Sequence, residues 1–215
     1  MRPRVISLLL GGLLGLAAQA TDTVKVVVRT TLDGKPVADA VVSATPLDHA
    51  APPLANAGAA EIEQKDQEFR PYVTAVQAGT TVRFPNHDKV QHHIYSLSKP
   101  KRFEIPLYQA GASESVVFDQ PGIVTIGCNI HDWMVAYIVV LPTPFFAKTD
   151  TMGSAALPPL PPGRYRLEVW HPRAPAPVGQ EITSLPEQAT VLEFSVALKP
   201  DKRVRRAPGG KPTDY

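Results

Sequence analysis

Residues 118–134, FDQPGIVTIGCNIHDWM, join a β-strand pattern to a short run of side chains that can bind metal. Pro121-Gly122 marks a turn, and Ile123 to Cys128 has the apolar pattern of a strand. After this strand, residues 128–134 contain a thiol, an imidazole and a thioether. The stretch predicts a β-protein with a metal-binding loop at the end of a strand.

The ligand types in this loop favour copper. Cys128 and Met134 offer soft sulfur ligands, and His131 offers an imidazole nitrogen, a set that suits copper and Cu(I) in particular. Two histidines, one cysteine and a long axial methionine form the electron-transfer site of blue copper proteins. A second histidine is therefore needed, and residues 86–94, NHDKVQHHI, contain three candidates.

Strand geometry separates these three histidines. Neighbouring residues on a strand point to opposite faces, so His92 and His93 cannot both face one site. His92 shares a face with the apolar Ile94 and is the preferred ligand. His87 is the alternative, although it lies early in the loop and precedes the turn-forming Asp88.

The whole composition agrees with a β-fold. The chain has 215 residues, 44% of them hydrophobic and 20% charged, which supplies a packed core and excludes a disordered polyelectrolyte. Its 23 prolines argue against a helical bundle, because proline breaks helix interiors. Short apolar runs separated by glycine or proline extend from Val24 to Val196, without a long helical period. The predicted fold class is all-β.

The first 20 residues have the pattern of a secretory signal peptide. Arg2 and Arg4 precede an apolar run from Val5 to Ala17, and Ala18-Gln19-Ala20 fits a cleavage site. The apolar run is short for a membrane span, so an uncleaved anchor is the less favoured alternative. We expect a periplasmic protein without a stable membrane anchor.

Cysteine content and charge exclude several classes. A single cysteine rules out an internal disulfide, a four-thiolate zinc site and an iron–sulfur cluster. An oxidising compartment disfavours an idle thiol, so ligation is the expected role of Cys128. Residues 21–198 carry a small acidic excess, which gives no case for nucleic-acid binding. Basic residues concentrate in 199–215, which we predict to be a disordered tail.

Residues 61–141 resemble the cupredoxins, the family of plastocyanin, amicyanin and pseudoazurin. The resemblance rests on GTTVRFPN at 79–86, HHI at 92–94 and PGIVTIGC at 121–128. It also rests on the Cys-x2-His-x2-Met spacing of residues 128–134, which matches the short ligand loop of amicyanin.

The resemblance implies a specific ligand set. One copper ion, alternating between Cu(I) and Cu(II), would be held by His92, Cys128, His131 and Met134. His93 departs from the family, which commonly places an asparagine there to tie the two ligand loops by hydrogen bonding. We expect Trp133 to pack over the metal.

The flanking residues resemble a second family. Val24 to Thr45, with the Asp33-Gly34 turn, resembles the start of a carboxypeptidase-regulatory-like or transthyretin-like β-sandwich. Residues 149–167, which end in LPPLPPGRYRL, resemble its later part. We therefore predict a discontinuous sandwich of residues 22–58 and 148–198, into which a cupredoxin domain of residues 59–147 is inserted. Successive small domains are the alternative.

These resemblances imply a periplasmic carrier of single electrons. Four protein ligands leave no open position on the metal, and catalytic metal sites keep one, so we predict that the protein is not an enzyme. The resemblance to amicyanin implies a dehydrogenase or c-type cytochrome as redox partner, in methylamine or related oxidation, with His131 as the electron port. A periplasmic copper-binding or copper-delivery protein is the alternative, and a binding or adhesion module without metal is the third possibility.

Overall fold

The computed structural model describes residues 24–52, 58–185 and 190–201. These ranges contain strands, turns and loops without an α-helix, which confirms the predicted all-β class. It follows that no membrane-spanning helix is found within them. The predicted signal peptide, residues 1–20, lies outside the described residues.

The strands of the described ranges are numbered in chain order. They are β1 (Val24–Thr30), β2 (Val41–Pro46), β3 (Ala59–Glu61), β4 (Glu63–Lys65), β5 (Glu68–Arg70), β6 (Val73–Gln77), β7 (Thr80–Pro85), β8 (His92–Ser96), β9 (Phe103–Tyr108), β10 (Ser113–Phe118), β11 (Gly122–Cys128), β12 (Val135–Leu141), β13 (Phe146–Lys148), β14 (Ser154–Ala156), β15 (Gly163–Trp170), β16 (Val178–Ser184) and β17 (Thr190–Val196). Alternation decides which face of a strand is buried: in β11, Val124 and Ile126 are buried whereas Thr125 is exposed.

One apolar core lies between two sheets formed by residues 59–141. The larger sheet has the order β6-β12-β11-β8-β9, and the smaller has the order β10-β7-β3. Strands β8 and β11 are antiparallel neighbours, with Cys128 opposite Ile94. This register brings the start of β8 beside the end of β11, which is where the predicted ligands lie. The buried core includes Phe84, Ile94, Phe118, Ile126 and Ile138.

The first and last strands of the described chain form a second core. Strand β1 pairs in parallel with β17 and antiparallel with β14, and β2 pairs antiparallel with β15 and β13. Val26, Val42, Tyr165 and Leu167 are buried in this core. Strands on either side of residues 59–141 therefore pair with each other. This pairing is what a discontinuous sandwich requires, while the domain boundaries and the resemblance to the second family stay predictions.

A small apolar cluster joins the two sets of sheets. Val41 of β2 packs with Val73 and Val139, and the rings of Tyr137 and Trp170 lie 5.8 Å apart in an edge-on contact. Near it, Lys148 Nζ donates to the main-chain oxygen of Val73 over 3.0 Å.

The predicted tail begins with residues that the structure places. The main-chain N–H of Lys199 donates to the oxygen of Arg173 over 2.9 Å, and Arg173 Nε donates to the oxygen of Lys199 over 2.7 Å. These two hydrogen bonds hold the chain at Lys199 against Arg173. Residues 202–215 of the predicted tail lie outside the described part of the chain.

Candidate metal centre

Three predicted ligands converge at one end of the larger sheet. The Sγ atom of Cys128 lies 3.7 Å from Nδ1 of His92 and 3.5 Å from Nδ1 of His131. The donor atoms of the three side chains all lie within 4.8 Å of one another. The two imidazole rings are 4.9 Å apart between centroids. Two imidazole nitrogens and a thiol therefore face a common point.

Main-chain hydrogen bonds shape the loop that brings His131 back to Cys128. The N–H of Met134 donates to the oxygen of His131 over 2.9 Å, and the N–H of Cys128 donates to the oxygen of Met134 over 3.3 Å. The loop can be short because β11 and β12 are antiparallel neighbours, so β11 ends and β12 begins at the same end of the sheet. The spacing of residues 128–134 thus places the thiol and the imidazole on the same side.

The ligand candidates differ in exposure. Cys128 and His92 are buried, at 3% and 0% exposure, and Met134 is buried in the same apolar cluster as Cys128. His131 is only half-buried, and its neighbour Ile130 is 48% exposed. The centre is thus closed on the side of the core and lies near solvent on the side of His131. The role of Met134 as an axial ligand stays a prediction.

A carboxylate holds the outer nitrogen of His92. Nε2 of His92 lies 2.7 Å from Oδ2 of Asp88, and that carboxylate is 11% exposed. A proton on Nε2 that is donated to the carboxylate leaves the Nδ1 lone pair facing Cys128, and this is the tautomer that binds a metal. The main-chain N–H of Asp88 in turn donates to Oδ1 of the buried Asn86 over 3.0 Å.

An aromatic ring lies against His131. The indole of Trp133 is 5.3 Å from the imidazole between centroids, and its Nε1 donates to the main-chain oxygen of Gln67 over 3.1 Å. Trp133 also packs against the apolar core. The indole therefore lies beside His131, and its packing over the metal stays a prediction.

The other histidines of the 86–94 segment have different partners. Nδ1 of His87 lies 2.7 Å from Glu63, and Nε2 of His93 lies 2.8 Å from Glu104. His93 does not tie the ligand loops through its imidazole. Its main-chain oxygen does so instead, because it accepts a hydrogen bond from the N–H of Asn129 over 3.1 Å.

A buried polar layer lies beneath His92. Tyr108 is the β9 partner of His92, and its hydroxyl donates to the oxygen of Phe84 over 3.0 Å and to Oε1 of Gln64. Burial raises the pKa of Tyr108, so the phenol stays protonated and remains a donor. These hydrogen bonds hold the strand that pairs with β8 at His92.

Sequence reasoning missed Asp88, Gln67 and Tyr108 as supports of the site. Asp88 was interpreted only as a turn-forming residue. The available signal was a carboxylate in the same short loop as a predicted ligand, since ligand histidines commonly donate their second ring nitrogen to a carboxylate. No local signal pointed to Gln67 or Tyr108, because Gln67 comes from the turn between β4 and β5 and Tyr108 from the end of β9, both distant in sequence from the ligands.

The donor set fits copper. A thiol that can ionise and two imidazoles presenting Nδ1 form a His-Cys-His candidate site, and soft sulfur with imidazole suits copper. An adjacent buried thioether, that of Met134, is compatible with the same metal. The described residues thus bring together, within 4.8 Å, a thiol and two imidazole nitrogens of the kinds that copper prefers.

Comparison with known proteins supports a cupredoxin fold. Amicyanin-alpha of Methylorubrum extorquens is 28% identical over 89 residues, which cover 40% of this chain and 75% of that protein. No family model matches the sequence.

Solved copper proteins are also similar to part of this chain. A purple cupredoxin from Nitrosopumilus maritimus is 26% identical with a TM-score of 0.35, covering 38% of this chain and 99% of that one. A Cu(I) structure of an amicyanin variant is 19% identical with a TM-score of 0.37, covering 46% of this chain and 99% of that one.

A third solved structure corrects one prediction. The Cu-containing nitrite reductase from Thermus scotoductus is 25% identical with a TM-score of 0.38, covering 45% of this chain and 25% of the reductase. The prediction that this protein is not an enzyme is therefore wrong as it was argued, because a region of this kind also occurs within a copper enzyme. The similarity spans only a quarter of the reductase and assigns no reaction to this chain. What the amicyanin relative and the His-Cys-His geometry support together is a copper-binding chain with a cupredoxin fold.

Proposed function

We propose that the protein carries single electrons, with one copper ion held by His92, Cys128, His131 and Met134 and cycling between Cu(I) and Cu(II). The observation that carries the proposal is the pair of Nδ1 atoms within 3.7 Å of one buried thiol. A thiolate and two imidazoles supply a one-electron redox centre when copper is bound. Amicyanin-alpha, the relative found by sequence, agrees with this assignment.

The surrounding residues limit how much the site can rearrange. His92 is fixed by its burial and by the Asp88 carboxylate, and His131 by the closed loop and the Trp133 ring. Preorganised ligands keep the same positions in both oxidation states, so little reorganisation accompanies gain or loss of an electron. This rigidity favours a carrier of electrons over a site that opens to release its metal.

Electrons would enter and leave through His131. Of the two imidazoles, only His131 is partly exposed, and the exposed apolar side chain of Ile130 lies next to it. An exposed apolar side chain beside a partly exposed ligand, with the exposed polar residues Asn129 and Asp132 around it, suits brief contact with another redox protein. We propose a dehydrogenase or a c-type cytochrome as that partner.

We further propose a periplasmic location and a two-domain organisation. Cleavage after Ala20 would release the mature chain, and residues 22–58 with 148–198 would form the sandwich that carries the copper domain of residues 59–147. Pairing of β1 with β17 and of β2 with β15 supports this division. A periplasmic extract in which the mature chain begins at Thr21 is the expected result, and an uncleaved chain in the membrane fraction would contradict it.

Spectroscopy of the copper-loaded protein tests the function. The full mature chain, loaded with Cu(II), is expected to show an intense thiolate-to-copper absorption band in the visible range, bleached by one electron per copper. The reduced protein is then mixed with a Cu(I) chelator. Loss of Cu(I) to the chelator that is much slower than electron exchange supports the carrier function. Loss that is as fast as electron exchange would support copper delivery. Binding of Cu(II) without the band would contradict the proposed centre.

A further inference from the structure

We propose that the main chain of Gln67 is a positioning link that joins the supports of the two histidines in the candidate metal centre. Gln67 lies at the tip of the β4–β5 hairpin, which the function proposed above does not otherwise use. The link would make the orientations of His92 and His131 depend on each other.

The main-chain N–H and carbonyl of Gln67 point to opposite sides of the site, one towards His92 and the other towards His131. Its N–H donates to Oδ2 of Asp88 over 2.9 Å, and the same oxygen lies 2.7 Å from Nε2 of His92. Its carbonyl oxygen accepts the Nε1 hydrogen of Trp133 over 3.1 Å, and the Trp133 ring packs on His131. One residue therefore contacts the partner of each imidazole.

The hairpin turn holds Gln67 in an uncommon conformation. Asp66 and Gln67 both have φ of 56°, in the left-handed region that residues with a Cβ rarely adopt. Two consecutive residues of this kind fit a two-residue type I′ hairpin turn, in which asparagine and glycine are usual. Aspartate tolerates this region, so Gln67 is the unusual residue of the turn, and its N–H and carbonyl both point at the site.

The base of the hairpin is fastened to the loop that carries Asp88. The N–H of His87 donates to the oxygen of Gln64 over 2.9 Å, and the His87 imidazole contacts Glu63. Gln64 is itself fully buried and bonded to the Tyr108 hydroxyl. The hairpin is therefore fixed where it begins, at Glu63 and Gln64. A displacement of Trp133 can then be passed through Gln67 to Asp88.

Hydrogen exchange in the metal-free full-length chain tests this link without depending on copper. Trp133→Phe removes the indole N–H on the His131 side and keeps an aromatic ring beside His131. We expect the Gln67 amide, which faces the His92 side, to exchange about tenfold faster in this variant, because the tip loses the hydrogen bond from the Trp133 indole. Unchanged exchange of that amide would overturn the proposal.

Two matched controls separate the link from general loosening. Trp170→Phe makes the same substitution at the junction with Tyr137, away from the hairpin, and is expected to leave Gln67 exchange unchanged. Gln67→Ala removes the side chain but keeps the main-chain N–H and carbonyl that form the link. It is expected to leave hydrogen exchange of the Asp88 amide and the Trp133 indole N–H unchanged. Faster Gln67 exchange in Trp170→Phe would mean that the effect is not specific and would count against the link.

Copper affinity supplies the second readout, and this part rests on the proposed function. Asp88→Ala, which removes the acceptor of the Gln67 N–H, is compared with Trp133→Phe, the double variant and the parent protein. We expect the double variant to change the Cu(I) dissociation constant by less than the product of the two single changes, since either substitution already releases the link. Strictly multiplicative changes would show independent arms and overturn the proposal, while the carrier function could still stand.

Discussion

The two imidazoles of the candidate metal centre are held in different ways. His92 lies on strand β8, is fully buried, and has its outer nitrogen against a carboxylate. His131 lies in the short loop between β11 and β12, is half-buried, and has an indole ring against it. One ligand is part of the protein core, whereas the other stands between the core and solvent.

This difference separates two requirements of an electron carrier. His92 supplies rigidity, because a fully buried side chain on a paired strand cannot move without disturbing the core. The outer arm supplies access, because its ring is within reach of a partner surface. The comparison predicts that substitutions in the two arms will differ in their cost to folding and in how easily they are repaired.

Cys128→Ser is expected to have the largest effect, because it removes the atom shared by both arms. Copper affinity should fall more than about 100-fold, which exceeds the loss usual for substitution of an outer-shell residue. The visible absorption band should vanish, since serine provides no thiolate. Competitive titration with a chelator and absorption spectroscopy measure both effects. A visible band in copper-loaded Cys128→Ser would contradict the assignment of Cys128 as the ligand that both histidines share.

Replacement of each histidine by alanine should separate the arms directly. His92→Ala empties a fully buried position and removes one of the hydrogen bonds of the Asp88 carboxylate, so the metal-free protein should lose about 2–4 kcal/mol of unfolding free energy. His131→Ala lies nearer the surface and should cost less than about 1 kcal/mol. Urea unfolding measures both values. Equal losses would contradict the distinction between a core ligand and a surface ligand.

Repair by exogenous imidazole sharpens the same contrast. Free imidazole can reach the vacated position in His131→Ala from solvent, whereas in His92→Ala it has to enter the core. We expect the visible band of copper-loaded protein to return at a lower imidazole concentration in His131→Ala. Optical titration of both variants makes the measurement. The reverse order would place the accessible side of the centre at His92.

Met134→Gln should have a smaller effect on copper binding and a clear effect on potential. A weak axial ligand tunes the reduction potential more than the affinity, so the site should stay coloured with a lower potential. Burial of an amide at this 2% exposed position should also cost about 1–3 kcal/mol of stability. Cyclic voltammetry and unfolding measure the two effects. Loss of copper binding would make Met134 a principal ligand.

His87→Ala and His93→Ala should have the smallest effects. Each removes an imidazole–carboxylate contact outside the centre, to Glu63 and Glu104 respectively, and for the half-exposed His87 such a contact contributes about 0–1 kcal/mol. The visible band should remain in both variants. Loss of the band in His87→Ala, combined with its retention in His92→Ala, would reverse the assignment of the inner arm.

The sequence by itself determined the fold class and the identity of the convergent side chains. Strand alternation is a local property, so it indicated both the β-structure and the choice of His92 over His93. The spacing of Cys128 and His131 is equally local, because a loop of this length between adjacent strands brings its ends together. Ligand chemistry then followed from the residue types, and the structure places the three donor atoms within 4.8 Å.

Tertiary structure alone decided what supports these side chains. Gln67 and Trp133 are distant in sequence, and they meet because the β4–β5 hairpin folds over the loop after β11. The imidazole of His93 points to Glu104 because β9 pairs with β8, and the main-chain oxygen of His93, not its side chain, ties the ligand loops. Sheet order and register set such contacts. They depend on the packing of the whole core, and no local sequence pattern encodes them.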